Sequence, residues 1–364
     1  MNIPSGTLDS IALVFWWSLA ASALAAWPVY RLLLLTKSRQ TVSQHAPSTH
    51  MKKQGTPTMG GIVLLVAFVV ATLVSAVSTS TPIPTSTLAI FLGFAAIGFI
   101  DDFVVPRYVA GKRGLGWKQK FLMQAVVAGV GIYFHSGHVL DLRWGVITFV
   151  VMFMANAYNF ADGLDALAGS ILLFFGAGLL ALSLTGMIVP ESALIAACLM
   201  GAVVPFLFLN APPAKVFMGD VGSLPVGAVL GVALTSILSP RSEAFATNAG
   251  LSLQEIWERS LQVEGVHWRP EMALPLLILC VLMVIELVPV PMQIFWVKVF
   301  KRRIFPFTPI HHAFEKAGWP ETRVVWSFAL SQVILSALAF WLAINTISSP
   351  TPPASAMHRV EARR

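Results

Sequence analysis

The chain reads as an all-α polytopic membrane protein of about ten transmembrane helices, with both termini extracytoplasmic. Three observations predict this class. Hydrophobic residues make up 56% of the 364 positions and charged residues 11%, against about 25% charged in soluble domains. Apolar runs of roughly 20 residues, the length that crosses a bilayer as a helix, recur along the chain. The cations are also distributed unevenly between alternate connections, as the positive-inside rule describes.

Ten apolar segments follow in order: 11–35, 59–78, 86–105, 119–134, 144–160, 164–189, 193–209, 221–239, 272–298 and 324–347. The fourth and fifth are the least apolar. The first is no secretory signal, because its leading flank "MNIPSGTLDS" carries no cation while Arg31, Lys37 and Arg39 follow it. Ten crossings place both ends on one side. With the ends outside, the inner connections hold 17 of the 24 Lys and Arg and the outer ones 7. That bias orients the chain.

Residues 1–348 are expected to form a single transmembrane domain, and the tail 349–364, "SPTPPASAMHRVEARR", to be disordered. Residues 240–271 are expected to form a long outer loop. Within it Leu253, Ile256, Trp257 and Leu261 share one face of an interfacial helix. The ninth segment carries Glu286, then Pro289 and Pro291. Prolines within a helix kink it, and an acid so deep faces a cavity or a partner. Cys198 and Cys280 lie inside apolar runs, with neither metal-ligand spacing nor a disulfide expected.

The polar residues concentrate on one face. Of seven aspartates, five (Asp101, Asp102, Asp162, Asp165 and Asp220) fall at inner helix ends. Asp101 and Asp102 close the third segment. Neighbours on a helix point about 100° apart, so the two suit different roles. As mere solvated ends they would oppose the helix dipole. "NAYNFADGLD" sets Asn156, Asn159, Asp162 and Asp165 at three-residue spacing, one polar stripe on a helix that can open into a loop around Gly163. Capping of the sixth segment by Asp162 or Asp165 would explain one of these four residues, not all. "VFMGDVGS" opens the eighth segment. Asp220 alone is a good N-cap, but Gly219 and Gly222 flank it at a helix N-terminus that favours phosphate. Mg²⁺ takes one or two carboxylates together with phosphate oxygens. The loop 302–323 holds His311, His312, Glu315 and several cations, suited to phosphate binding or proton transfer. It lacks a zinc ligand set. The chain contains neither a Walker A sequence nor a dinucleotide fingerprint.

The stretches "KKQGTPTMGG", "GFIDDF", "NAYNFADGLDALAG", "NAPPAKVFMGDVGS", "IELVPVPMQ" and "TPIHHAFEKAGWPETR" span residues 52–323. In this order they resemble the polyprenyl-phosphate N-acetylhexosamine-1-phosphate transferases. The "HHAFEKAGWPE" loop is similar to the branch acting on N-acetylmuramoyl-pentapeptide. The resemblance implies ten helices, a homodimer, a cytoplasmic cleft and dependence on Mg²⁺. It implies an enzyme of the bacterial cytoplasmic membrane in which undecaprenyl phosphate attacks UDP-MurNAc-pentapeptide and releases UMP, a step of peptidoglycan synthesis. By the same resemblance Asp101 and Asp102 serve the attacking lipid phosphate, Asp220 is the metal ligand and His311 is essential. Phe217 stacks on uracil. Lys53, Thr58, Asn159, Asp162, Asp165, Asn210, Gln293 and His312 line the nucleoside and sugar-phosphate site. Two positions depart from the family pattern: Ala313 replaces the third histidine and Ala161 a common threonine.

Transfer from UDP-GlcNAc is the alternative reaction, and a transporter of a lipid-linked or anionic solute the alternative class. A transporter would place its acids near the midplane, whereas here Glu286 alone is deep.

Overall fold

Each of the ten apolar segments contains helix among the residues that the computed structural model describes, 7–36, 55–112, 114–138, 140, 142–185, 190–235 and 270–348. The helices are α1 (Thr7–Leu35), α2 (Ile62–Ser78), α3 (Thr85–Phe99), α4 (Val105–Tyr108), α5 (Trp117–His135), α6 (Leu142–Ala161) and α7 (Leu167–Leu184). Then follow α8 (Pro190–Asn210), α9 (Asp220–Thr235), α10 (Pro270–Leu279), α11 (Val281–Leu287), α12 (Pro289–Phe300), α13 (Ile310–Lys316) and α14 (Glu321–Ser348). No strand occurs among the described residues. Seven helices are long and apolar enough to cross a membrane by length and composition, and α2 and α9 are shorter apolar helices. The expected loop helix around 253–261 and the tail 349–364 lie outside the described residues.

Helix α9 is the hub. All its residues from Val221 to Thr235 are buried, and α6 and α3 pack on either side of it. A helix buried all round needs small residues where neighbours cross. A Cβ at Gly227 would stand 2.7 Å from Ala155 Cα, and one at Gly231 2.7 Å from Val151 Cα. The glycines therefore set the α6–α9 spacing. Helix α1 lies along α8, pinned by Ser18 Oγ and Ser22 Oγ donating to the carbonyls of Cys198 and Ala202, each at 2.6 Å. Outer faces carry exposed Trp16, Trp27, Phe121, Trp326 and Trp341. Such a rim suits lipid rather than water.

Two local features depart from the sequence expectation. The third segment does not end at the acids. After Phe99 it widens into one π-helical turn, Ile100–Val104, in which the Val105 amide donates to Ile100 O, and then continues as α4. Asp101 and Asp102 thus sit within a helix, in a turn type that recurs at functional sites, rather than at a helix end. The ninth segment divides into α10, α11 and α12, with Pro289 and Pro291 in the first turn of α12. There a missing N–H costs little.

Candidate active site

Three chain stretches converge where α9 begins. The loop leading to α2 and the loop leading to α9 run side by side. The Phe217 amide donates to Pro57 O (2.9 Å), and the Gly60 and Gly61 amides donate to Phe217 O (2.8 Å) and Met218 O (2.9 Å). This pairing delivers Gly219 and Asp220 beside the π turn. Gly219 has φ of +73°, and a Cβ there would lie 2.6 Å from Asp102 Oδ2 and 2.8 Å from Thr58 Oγ1. Only glycine satisfies both the left-handed backbone and the close approach.

The site's centre is acidic. Asp101, Asp102 and Asp220 each place a carboxylate oxygen within 4.8 Å of the others. At an effective dielectric of about 20, each pair of such charges repels by about 3.5 kcal/mol. The structure answers with oriented donors. Asp102 Oδ2 accepts from the Val221 amide at 3.1 Å, capping the N-terminus of α9. Asp101 Oδ1 accepts from the Leu115 amide at 2.5 Å, just before α5. Lys120 of α5 bridges Asp101 Oδ2 at 3.3 Å and also pairs closely with Asp220 Oδ2. Asn159 Nδ2 donates to Asp220 Oδ1 (2.7 Å) and to Ser223 Oγ (2.8 Å). The two adjacent acids therefore answer to different helices, Asp101 to α5 and Asp102 to α9. Neighbours on a helix point in different directions, which lets the two reach different partners.

Three carboxylates against one ammonium leave negative charge over. The donors are hard oxygens, Asp220 and Asp101 retain partial exposure, and Lys120 already marks where a cation sits. This set fits a divalent ion of the Mg²⁺ type. Asp162, in the connection between α6 and α7, belongs to the same field. Withdrawal from water, then the charges of Asp220 and Asp102, hold its carboxyl well above the usual range against a hydrogen bond from the Gly219 amide.

Other expected residues act on backbone. Asp165 Oδ2 accepts from the Ala214 amide at 2.9 Å. Asn210 accepts from the Ala166 amide and donates to Val216 O, both at 2.9 Å. Gln293 Oε1 accepts from the Ile304 and Phe305 amides at 3.0 Å. These side chains hold the walls. Neither Asp162 nor Asp165 caps α7, whose N-cap is Ala166 in a left-handed conformation. The expected stripe also divides. Asn156 turns away to Gln124 of α5, donating at 2.7 Å, and only Asn159 reaches Asp220. The histidines are held by glutamates: His311 Nδ1 lies 2.8 Å from Glu286 Oε2, and His312 Nδ1 2.7 Å from Glu315 Oε2. The loop cations lie over aromatic rings, Arg303 and Lys316 over Phe307 and Arg323 over Trp319. Phe217 is half-buried, and Lys53 lies outside the described residues.

Sequence reasoning missed Lys120 and Ser223 as site members. Lys120 counted only as one of the inner cations. Its separation from Asp220 by 100 residues left no local signal.

Residues 84–238 match the family described as Glycosyl transferase family 4, and residues 53–65 match Phospho-N-acetylmuramoyl-pentapeptide-transferase signature 1. Over 343 residues the chain is 33% identical to the phospho-N-acetylmuramoyl-pentapeptide-transferase of Desulforudis audaxviator, covering 85% of this chain and 91% of the relative. The protein of the same name from Desulforamulus reducens is 36% identical over 344 residues, with the same coverage. The chain belongs to the phospho-N-acetylmuramoyl-pentapeptide-transferase family. A relative from Bacillus subtilis is 32% identical over 329 residues, covering 85% of this chain and 90% of its own. The family is one of phospho-sugar transferases, and all three acids of the cluster fall inside the matched residues 84–238.

Proposed function

We propose that the protein transfers phospho-N-acetylmuramoyl-pentapeptide from its UDP conjugate to undecaprenyl phosphate, releasing UMP. The observation that carries this is the Asp101–Asp102–Asp220 cluster with Lys120 paired to two of its acids, in a family member built of apolar helices. The two substrates are both anions, so charge neutralisation and positioning supply most of the catalysis. Asp220, with Asp101 and Asp102 beside it, would hold Mg²⁺. When bound, the ion supplies positive charge to the diphosphate oxygens.

The chain's own residues do the rest. Asn159 fixes the rotation of the Asp220 carboxylate by donating to Oδ1. Lys120 offers an ammonium at the same edge and shares it between Asp101 and Asp220. Asp101 and Asp102 orient the attacking lipid phosphate. That group is already largely ionised at neutral pH, since a phosphate monoester's second pKa is about 6, so orientation outweighs proton removal. Phe217, Thr58 and Lys53 take the nucleoside end. Asp165, Asn210 and Gln293 keep the walls in place, His312 belongs to the nucleoside and sugar-phosphate site, and His311 is the essential histidine. The lysine and arginine bias supports ten crossings with the site on the cytoplasmic face of the bacterial inner membrane.

The test is UMP release by purified protein with undecaprenyl phosphate, comparing UDP-MurNAc-pentapeptide with UDP-GlcNAc. Release with the first and not the second is expected. No UMP from either would reject the catalytic reading, and preference for UDP-GlcNAc would reassign the sugar.

A further inference from the structure

Glu286 was singled out in the sequence as the one deep acid, and the transfer reaction gives it no part. In the structure it is fully buried, as is His311. The two make a two-point grip. Oε1 accepts from the His311 backbone amide at 3.3 Å and Oε2 lies 2.8 Å from His311 Nδ1. Glu286 already accepts through Oε1, and a carboxylate accepting at Oε2 as well would take its hydrogen from Nδ1. The other ring nitrogen, Nε2, is buried with no hydrogen-bond partner. It is aimed at the connection between α6 and α7, where a Cβ on Gly163 would stand 2.7 Å from His311 Cε1. That connection also carries Asp162 and leads from Asn159, which holds Asp220. A pair serving only to tie α11 to α13 would be expected to satisfy both ring nitrogens, because an orphaned buried polar atom is costly.

We propose that Glu286 is the positioning residue for His311: it holds the proton on Nδ1 and so presents Nε2 to the Asp162–Gly163 turn as the working nitrogen. The carboxylate does this from a different helix, so it sets both tautomer and ring orientation, as carboxylates do for histidines that must act through one chosen nitrogen.

The test uses full-length protein in detergent with ¹⁵N-labelled histidine. The His311 signals are identified by their loss in His311→Gln. In the unsubstituted protein the proposal requires a protonated Nδ1 at neutral pH. A bare Nδ1 overturns it, whatever the variants do. In Glu286→Gln the amide keeps the size and a hydrogen bond but can either accept or donate, so the proton is no longer pinned. The Nδ1 signal is expected to shift towards the unprotonated form. The kinetic arm rests on the proposed transferase reaction: kcat for UMP release should fall about 10- to 100-fold, the usual cost of losing an orienting partner, with KM for the UDP substrate little changed. Full kcat in folded Glu286→Gln, or a change confined to KM, would reduce the pair to a brace. Absence of UMP release by the unsubstituted protein would sink the transferase reading while leaving the spectroscopic arm to decide the pairing.

Discussion

Lys120 is the sharpest place to perturb the site. It is the one cation touching the acid cluster among the described residues, and Lys120→Met keeps most of its length and apolar stem while removing the charge. At 3.3 Å from Asp101, the lost attraction is about 5 kcal/mol at an effective dielectric of about 20. The lost Asp220 contact adds to it. Three like charges within 4.8 Å would remain, each pair repelling by about 3.5 kcal/mol. The full sum is not realised, because a carboxylate can take up a proton and water reaches the partly exposed edge. Breaking one side of such a partly buried pair costs about 3–5 kcal/mol in practice, and that is the destabilisation expected without divalent ions. Added Mg²⁺ binds only the folded cluster and should restore much of the loss. The assay is thermal unfolding in detergent, with EDTA and then with a Mg²⁺ titration, alongside UMP release. Melting should fall clearly in EDTA and recover with Mg²⁺, whereas turnover should stay low because the ammonium is still missing. Equal melting of both proteins in EDTA, or normal turnover by the variant, would refute the electrostatic account of the site.

Further outcomes follow from the same geometry. Asp220→Asn should abolish Mg²⁺-dependent UMP release, and activity retained in that variant would remove Asp220 from the metal site. Gly219→Ala puts a Cβ 2.6 Å from Asp102 Oδ2 at a φ of +73°. The left-handed backbone alone costs about 1–2 kcal/mol, so both melting temperature and kcat should drop; wild-type values in both would argue against the close approach. Asp162 has its carboxyl held above the usual range, so the folded state binds that proton more tightly than the unfolded one. This contribution to stability is present at low pH and is lost as pH rises above about 4 towards the raised value. In EDTA at neutral pH, Asp162→Asn should melt higher than wild type and show a flatter decline with pH. A lower melting temperature would contradict this.

Much of the architecture was legible because lipid imposes a strict and simple demand on the backbone. A helix that must hide its backbone in hydrocarbon needs a long apolar run, and each run, from Thr7–Leu35 to Glu321–Ser348, is helical over its described residues, the ninth as three successive helices. The acids were legible for the complementary reason: a carboxylate at the edge of apolar sequence is costly enough to demand an explanation. What stayed hidden were partners set by distant chain. Lys120 reaches Asp220 across 100 residues, and Asn156 and Asn159, three apart on one helix, face different neighbours. Spacing alone put both asparagines in one stripe.

Composition, run length and cation placement by themselves determined a multi-helix membrane chain with its acids gathered beside the ends of its apolar runs. They also implied that Asp101 and Asp102 would act differently, since neighbours on a helix diverge. Tertiary structure alone decided how. The π turn keeps the pair inside a continuing helix. The N-terminus of α9 takes Asp102, the start of α5 takes Asp101, and Lys120 spans Asp101 and Asp220. Helix periodicity is a local property that a sequence carries openly. The neutralising partner of a buried charge is whatever the fold brings within a few ångströms, and only packing determines that.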